Sequence, residues 1–224
     1  LREQVLQVIR ENPEVILDAV RTYQKQQQQA REKARQSFVQ QMQANPKAMI
    51  RQSPTKGATT SQVILVEFSD FQCPYCARSR EILNEFMAKH QDKVTLVYKH
   101  FPLTQIHPEA LPASKASWAA AQQGKFWEFH DALFNQQDRL SDALYVETAK
   151  ALKLDTQRFN RDRASAAANA AIEQDMQMAA SLGVDGTPFF VMNGEIFSGL
   201  VSLTALEEIL ARVMQTDRLN PPVP

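Results

Sequence analysis

The sequence predicts an α/β domain whose central sheet is interrupted by a block of helices, and three observations lead there. Residues 63–68 and 94–101 are short apolar runs rich in β-branched and aromatic side chains, and they bracket an amphipathic stretch from Ala77 to His90. Nothing in residues 108–182 has strand character. Asn193-Gly194, set between Phe189–Met192 and Ile196-Phe197, carries the strongest short-range hairpin signal.

The first strand comes from Val63, Ile64, Leu65, Val66 and Phe68, where only Glu67 interrupts the apolar run, so it reads as buried on both faces. Ser69-Asp70-Phe71-Gln72 turns the chain. Ile82, Leu83 and Phe86 then recur at helical spacing among charged and polar residues. A second strand across 94–101 is stopped by Pro102, and the intervening helix makes the unit strand–helix–strand with parallel neighbours. An Ala-rich stretch from 110 to 123, an aromatic one from 125 to 134, and further runs across 142–153 and 155–182 read as helices. The hairpin follows, and Leu206, Ile209, Leu210 and Val213 give a closing helix its inward face. Residues 217–224, ending in Pro-Pro-Val-Pro, are expected to be a disordered tail.

Residues 1–52 differ in character. Val5, Leu6, Val8 and Ile9, then Val15, Ile16, Ala19, Val20 and Tyr23, form two apolar clusters about Asn12-Pro13, where Asn12 is expected to cap and Pro13 to open a second helix. From Gln24 to Gln43 the chain is rich in Gln, Lys, Arg and Ala, with Phe38, Val39 and Met42 its few apolar positions, and it reads as an exposed helical arm. The apolar clusters need a partner. Identical arms of other subunits can supply one, which makes 1–52 a candidate oligomerisation stalk; the other reading folds residues 1–23 back on their own domain. Residues 53–61 have the composition of a linker.

Twenty-five basic residues balance 25 acidic ones, which leaves no electrostatic footprint for nucleic acid or a membrane surface. No run is long enough to span a bilayer. No signal peptide is visible, but a chain opening at Leu1 reads as processed or truncated, so that absence does not argue for the cytosol.

The two cysteines of the chain, Cys73 and Cys76, enclose Pro74 and Tyr75 at the start of the first helix of the sheet unit. Unpaired N–H groups and the positive end of the helix favour an anion there, so the Cys73 thiol is expected to ionise readily. The spacing lets Cys76 attack a mixed disulfide held on Cys73, giving an exposed nucleophile and a more buried resolving thiol. Pro74 suits an opening turn because it has no N–H to leave unpaired. Zinc ordinarily takes four ligands, and His90, His100, His107 and His130 show no paired spacing, so no metal site is expected. A structural disulfide would normally close a longer loop.

Strand, C-P-Y-C at a helix start, strand, helical block, G-T-P-F-F, hairpin and final helix together resemble DsbA-like proteins of the thioredoxin superfamily, over roughly residues 62–216. The resemblance implies a thioredoxin fold with a helical domain, about residues 107–183, inserted between the second strand and a cis-Pro strand. It implies that Pro188 is the cis proline beside the cysteines, with Thr187 pairing to an extended substrate and Pro74 and Tyr75 beside it. Glu67 falls where relatives keep a buried acid; burial would raise its pKa and let it take a proton from Cys76. The alternative is an acid on the outward strand face. DsbA itself has histidine where Tyr75 stands, so less thiolate stabilisation and a weaker oxidant are expected. Thr187 and the N-terminal extension look closer to suppressor-of-copper-sensitivity C proteins and disulfide isomerases.

The function this implies is thiol–disulfide exchange with unfolded or misfolded exported proteins, as oxidase or isomerase. No cofactor is expected beyond the Cys73–Cys76 pair itself. A membrane redox partner would recycle it, and the compartment would be periplasmic or otherwise exported. An oligomeric chaperone or copper-handling protein binding Cu(I) at the dithiol is the alternative.

Overall fold

The computed structural model describes residues 2–45, 49–58 and 63–219. In chain order the elements are α1 (Arg2–Glu11), α2 (Pro13–Ala44), β1 (Thr55–Gly57), β2 (Val63–Ser69), α3 (Pro74–His90), β3 (Val94–His100) and α4 (Ala110–Ala121). There follow α5 (Phe126–Asn135), α6 (Asp142–Ala151), α7 (Thr156–Arg163), α8 (Ala166–Leu182), β4 (Phe189–Met192), β5 (Glu195–Ser198) and α9 (Leu203–Leu219). The strands form one sheet in the order β1-β3-β2-β4-β5. β2 and β3 run parallel with Glu67 beside Tyr98, and the remaining pairs are antiparallel.

Every residue of β2 and β3 is buried, as expected of a central parallel pair covered on both faces. On one face Leu65, Leu96 and Phe190 pack against Leu83 and Phe86 of α3 and Leu206, Ile209 and Val213 of α9. On the other, Ile64, Val66, Phe68 and Val97 meet Met178, Ala179 and Leu182 of α8. Helices α4 to α7 build their own core from Ala113, Ala116, Phe129, Leu133, Leu144, Tyr145 and Phe159, and that core is continuous with Phe71, Cys76 and Tyr98. Side-chain caps define three of the later helices: Ser141, Asp155 and Ser165 accept the N–H groups of Leu144, Arg158 and Ala168. Asn193 and Gly194 both have positive φ in the β4–β5 turn, as a tight hairpin requires.

Four expectations are corrected. Residues 53–61 are not simply a linker, because they contain β1, an edge strand on β3, and its Thr55 carbonyl accepts the Trp127 indole N–H at 2.7 Å. Thr59, Thr60 and Ser61 lie outside the described residues. The last helix runs to Leu219, so residues 217–219 are helical, while 220–224 lie outside the described residues. Asn12 makes no side-chain cap on α2; its amide instead donates back to the Val8 carbonyl at 2.9 Å, closing the end of α1. Nor is the arm exposed throughout. Phe38 and Met42 are buried against Leu182 and Val184, because α2 lays its last turns on the end of α8. Val8, Val15, Ile16, Leu17, Val20 and Tyr23, by contrast, stand 46–62% exposed.

Candidate active site

β2 delivers the chain into the turn that carries the cysteines, and Asp70 holds that turn. Its buried carboxylate accepts the N–H of Gln72 at 2.7 Å and of Leu103 at 2.9 Å, and meets His107 Nδ1 at 2.8 Å. Its carbonyl accepts the Cys73 N–H at 3.1 Å. From the helical block, Gln137 Nε2 donates to the carbonyls of Phe71 and Cys73 at 2.8 and 2.9 Å. Gln72 Oε1 accepts the Glu109 N–H at 2.7 Å. Sequence reasoning missed Asp70, Gln72, His107 and Gln137. Only Asp70 carried a signal, an Asx residue two places before a backbone N–H it can accept.

Cys73 is the N-cap of α3 and Pro74 its first residue, so the thiol sits where the helix N–H groups converge. Both thiols are free. Cys73 is 4% exposed and Cys76 fully buried, so Cys73 is not the open nucleophile expected, although it remains the outer of the two. The Cys73 thiol is lowered to about 5: the Cys76 thiol donates to it, burial opposes, and Thr187 and the N–H groups of Cys76 and Tyr75 add to the lowering. Thr187 acts in two senses. Its carbonyl accepts the protonated thiol at 3.4 Å, while its hydroxyl, otherwise without a partner, favours the thiolate. Cys76 is pushed well up by burial, then by Cys73 and Glu67. One environment thus drives the two thiols in opposite directions.

The Thr187-Pro188 peptide is cis and precedes β4, and the Pro188 carbonyl accepts the Gly199 N–H at 2.9 Å. This fixes Thr187 against Cys73. Glu67 is 3% exposed, so the outward-facing alternative is overturned, and burial raises its carboxyl to about 7 against the pull of the Ser69 hydroxyl. Tyr75 is 54% exposed and touches Cys73 chemistry through its backbone N–H. The structure therefore brings Cys73, Cys76, Glu67, Pro74, Tyr75, Thr187 and Pro188 to one end of the sheet.

Comparison with known proteins decides the family: a thioredoxin family model matches residues 49–212. The chain belongs to the thioredoxin family. Its helical block between β3 and the cis-Pro strand is shared in fold by DsbA-type structures, among them alpha-DsbA2 of Wolbachia pipientis, 22% identical with a TM-score of 0.70 over 82% of this chain and 97% of that one. A thioredoxin-like oxidoreductase from Silicibacter pomeroyi DSS-3 is 31% identical, with a TM-score of 0.69, over 74% of this chain and 94% of that one. ScsC of Proteus mirabilis is 23% identical, with a TM-score of 0.68, over 96% of this chain and 94% of its own. Na(+)/H(+) antiporter NhaA 3 of Salinispora tropica is 37% identical over 166 residues, 74% of this chain. The chain spans about a quarter of the length of the curated relatives it matches. Among the described residues no helix is long and apolar enough to cross a membrane.

In this thioredoxin-family chain the arrangement can perform one kind of chemistry well. A thiolate available near neutral pH can attack or be attacked at sulfur, and a neighbouring thiol, held protonated until needed, can complete the exchange.

Proposed function

We propose that this chain is a thiol–disulfide oxidoreductase acting on unfolded or misfolded exported proteins in an oxidising compartment, with the Cys73–Cys76 pair as its redox group. The opposed ionisation of the two thiols, Cys73 lowered to about 5 and Cys76 raised, carries this reading. In the oxidising direction a substrate thiolate attacks Cys73 Sγ of the disulfide, and Cys76 leaves as thiolate and takes a proton. A second substrate thiolate then attacks the substrate sulfur, and Cys73 departs as its stable thiolate. In the isomerising direction the Cys73 thiolate opens a wrong substrate disulfide, and either the substrate or Cys76 closes the mixed disulfide.

Polypeptide substrates fit the surroundings. Among the described residues outside the arm, the exposed large apolar side chains are Tyr75, Ile106 and Leu200. Tyr75 lies between the cysteines, Ile106 adjoins His107 at the Asp70 turn, and Leu200 follows Gly199, which is bonded to Pro188. An extended apolar segment can lie on this rim and pair with the Thr187 backbone as an added strand. Once Cys73 is ionised, the Thr187 carbonyl no longer accepts its thiol and is open to a substrate N–H.

The exposed apolar positions of α1 and α2 support homo-oligomerisation through the arm, with a second copy as the covering partner. A membrane redox partner would reset the cysteines. Refolding of reduced ribonuclease beside scrambled ribonuclease tests the activity: recovery of both marks an isomerase, recovery of the reduced form alone an oxidase. A Cys73→Ser variant that keeps full activity on either would overturn the proposal. Light scattering after deletion of residues 1–23, which spares the Phe38 and Met42 anchor, tests the oligomer; an unchanged mass removes it.

A further inference from the structure

One side chain of the helical block bonds the backbone of Cys73, and the exchange mechanism above does not use it. Gln137 opens a short 3-10 turn, Gln137–Arg139, just after α5. Its Nε2 donates to the Phe71 carbonyl at 2.8 Å and to the Cys73 carbonyl at 2.9 Å. A side-chain amide has two N–H donors, so both are committed to the cysteine turn. Phe71 is fully buried, and among the described residues Gln137 is the one donor to its carbonyl. The Cys73 carbonyl also accepts the N–H groups of Cys76 at 3.1 Å and Ala77 at 3.2 Å, the opening bonds of α3, and the Gln137 bond is the shortest of the three. On its other side the Cys73 N–H is tied to the Asp70 carbonyl at 3.1 Å. The nucleophile is therefore pinned at both of its peptide units, one by the turn and the other by the block.

Resting on the thiol–disulfide reading, we propose that Gln137 is a positioning residue: it holds the Cys73 sulfur against the N-terminus of α3 and so sets the oxidising strength of the cysteine pair. Rotation about ψ of Cys73 moves the sulfur relative to the helix that begins at Pro74. Pro74 confines Cys73 to the extended region, here φ −75° and ψ 121°, but that region is about 40° wide in ψ. Two bonds fix the angle within it, the Cys73 N–H on Asp70 and the Cys73 carbonyl on Gln137. Without the amide, the carbonyl settles on Cys76 and Ala77 alone and the sulfur turns with it. The pull of a helix end on an anion falls off within one turn, so a small swing matters.

The acidity of Cys73 agrees with a sulfur held in place. The Cys76 thiol leads in lowering it to about 5, and the N–H groups of Cys76 and Tyr75, at the helix end, contribute as well. A more stable thiolate favours the reduced pair and makes the disulfide a stronger oxidant. The titratable groups about Cys73 are Cys76 on α3, Glu67 on β2 and Asp70 in the turn. Gln137 is neutral, so replacing it with a neutral residue alters no charge there, and its neighbours Asp138 and Arg139 are exposed. Elsewhere the block is tied to the sheet without touching the cysteine backbone, as where the Trp127 indole N–H meets the Thr55 carbonyl at 2.7 Å. That tie separates anchoring the block from positioning the sulfur.

The test uses the full chain. Alkylation of the reduced protein by iodoacetamide as a function of pH gives the Cys73 midpoint, and equilibration with a glutathione redox buffer at pH 7 gives the oxidising strength. Gln137→Ala should raise the midpoint by about one pH unit, the scale of one hydrogen bond to a charged group. The glutathione equilibrium should move about tenfold toward the disulfide with it. Gln137→Met, of similar length but without an N–H, should do the same and serves should the alanine variant not fold. Trp127→Phe, which cuts a tie of the block far from the sulfur, should lower the unfolding midpoint and leave both thiol readings at the parental values. Thiol readings unmoved in the Gln137 variants overturn the positioning role. So does a Trp127→Phe variant that moves them as far, since any loosening of the block would then suffice. If the parent itself does not exchange with glutathione, the thiol–disulfide reading falls and the positioning role with it; a normal parent with unmoved Gln137 variants sinks the positioning role alone.

Discussion

At the scale of single residues, Glu67 shows how a group suited to proton transfer weakens the fold that holds it. Its carboxyl is raised from 4.5 to about 7 by burial, so the folded state binds the extra proton. Stability from this group is complete below about pH 4.5 and is lost as pH rises through 7. Glu67→Gln should therefore gain about 3 kcal/mol over the parent at pH 8.5 and nothing at pH 4, read from urea unfolding at the two pH values. Cys73 is shifted the other way, and its alkylation should follow a midpoint near 5 rather than 9. Because Tyr75 contributes through its N–H and its ring is exposed, Tyr75→Phe should leave that midpoint in place, while Tyr75→His, adding a cation, should lower it further. The cysteines, Glu67 and Pro188 were legible because each sits in a short motif. His107 and Gln137 were not, since their bonds to the turn bridge 37 to 66 residues of chain, and Asp70 offered only its local Asx bond to Gln72 as a signal.

At the scale of elements, what could be read was whatever carried its own pattern. β2 and β3 announce themselves by continuous apolar runs, and the β4–β5 hairpin by its Asn-Gly turn. β1 has no such pattern: Thr55, Lys56 and Gly57 form a strand only because the edge of β3 offers them a ladder. Gly57 is the residue that edge demands. It has a φ of +99°, and a Cβ there would lie 2.3 Å from the Val94 carbonyl oxygen, an atom that cannot move aside. Gly57→Ala should cost more than about 1 kcal/mol, visible as a lower unfolding midpoint, with β1 the first segment to lose amide protection in hydrogen exchange. The docked end of α2 escaped notice for a related reason. Phe38 and Met42 are one helical turn apart, too short a stripe to read as a core face without Leu182 and Val184 in view.

At the scale of the whole molecule, the helical block is tied to the sheet by a buried ion pair. Lys99 on β3 is 1% exposed and lies 3.0 Å from Asp175 on α8, with Ser53 Oγ at 2.7 Å from its Nζ and the His100 N–H donated to Asp175 at 3.0 Å. Burial holds the Asp175 carboxyl above its ordinary range even with the ammonium beside it, so desolvation outweighs the attraction. A pair of that kind is costly to break from one side and cheap to replace from both. Asp175→Ala, which strands the Lys99 charge, should lose about 3–5 kcal/mol, whereas Lys99→Met with Asp175→Leu should unfold within about 1–2 kcal/mol of the parent or above it. The readout is a double-mutant cycle from chemical unfolding. If the single and double variants lose stability equally, the pair is a net source of stability, and the block is held to the sheet by electrostatics rather than by the apolar contacts of α8.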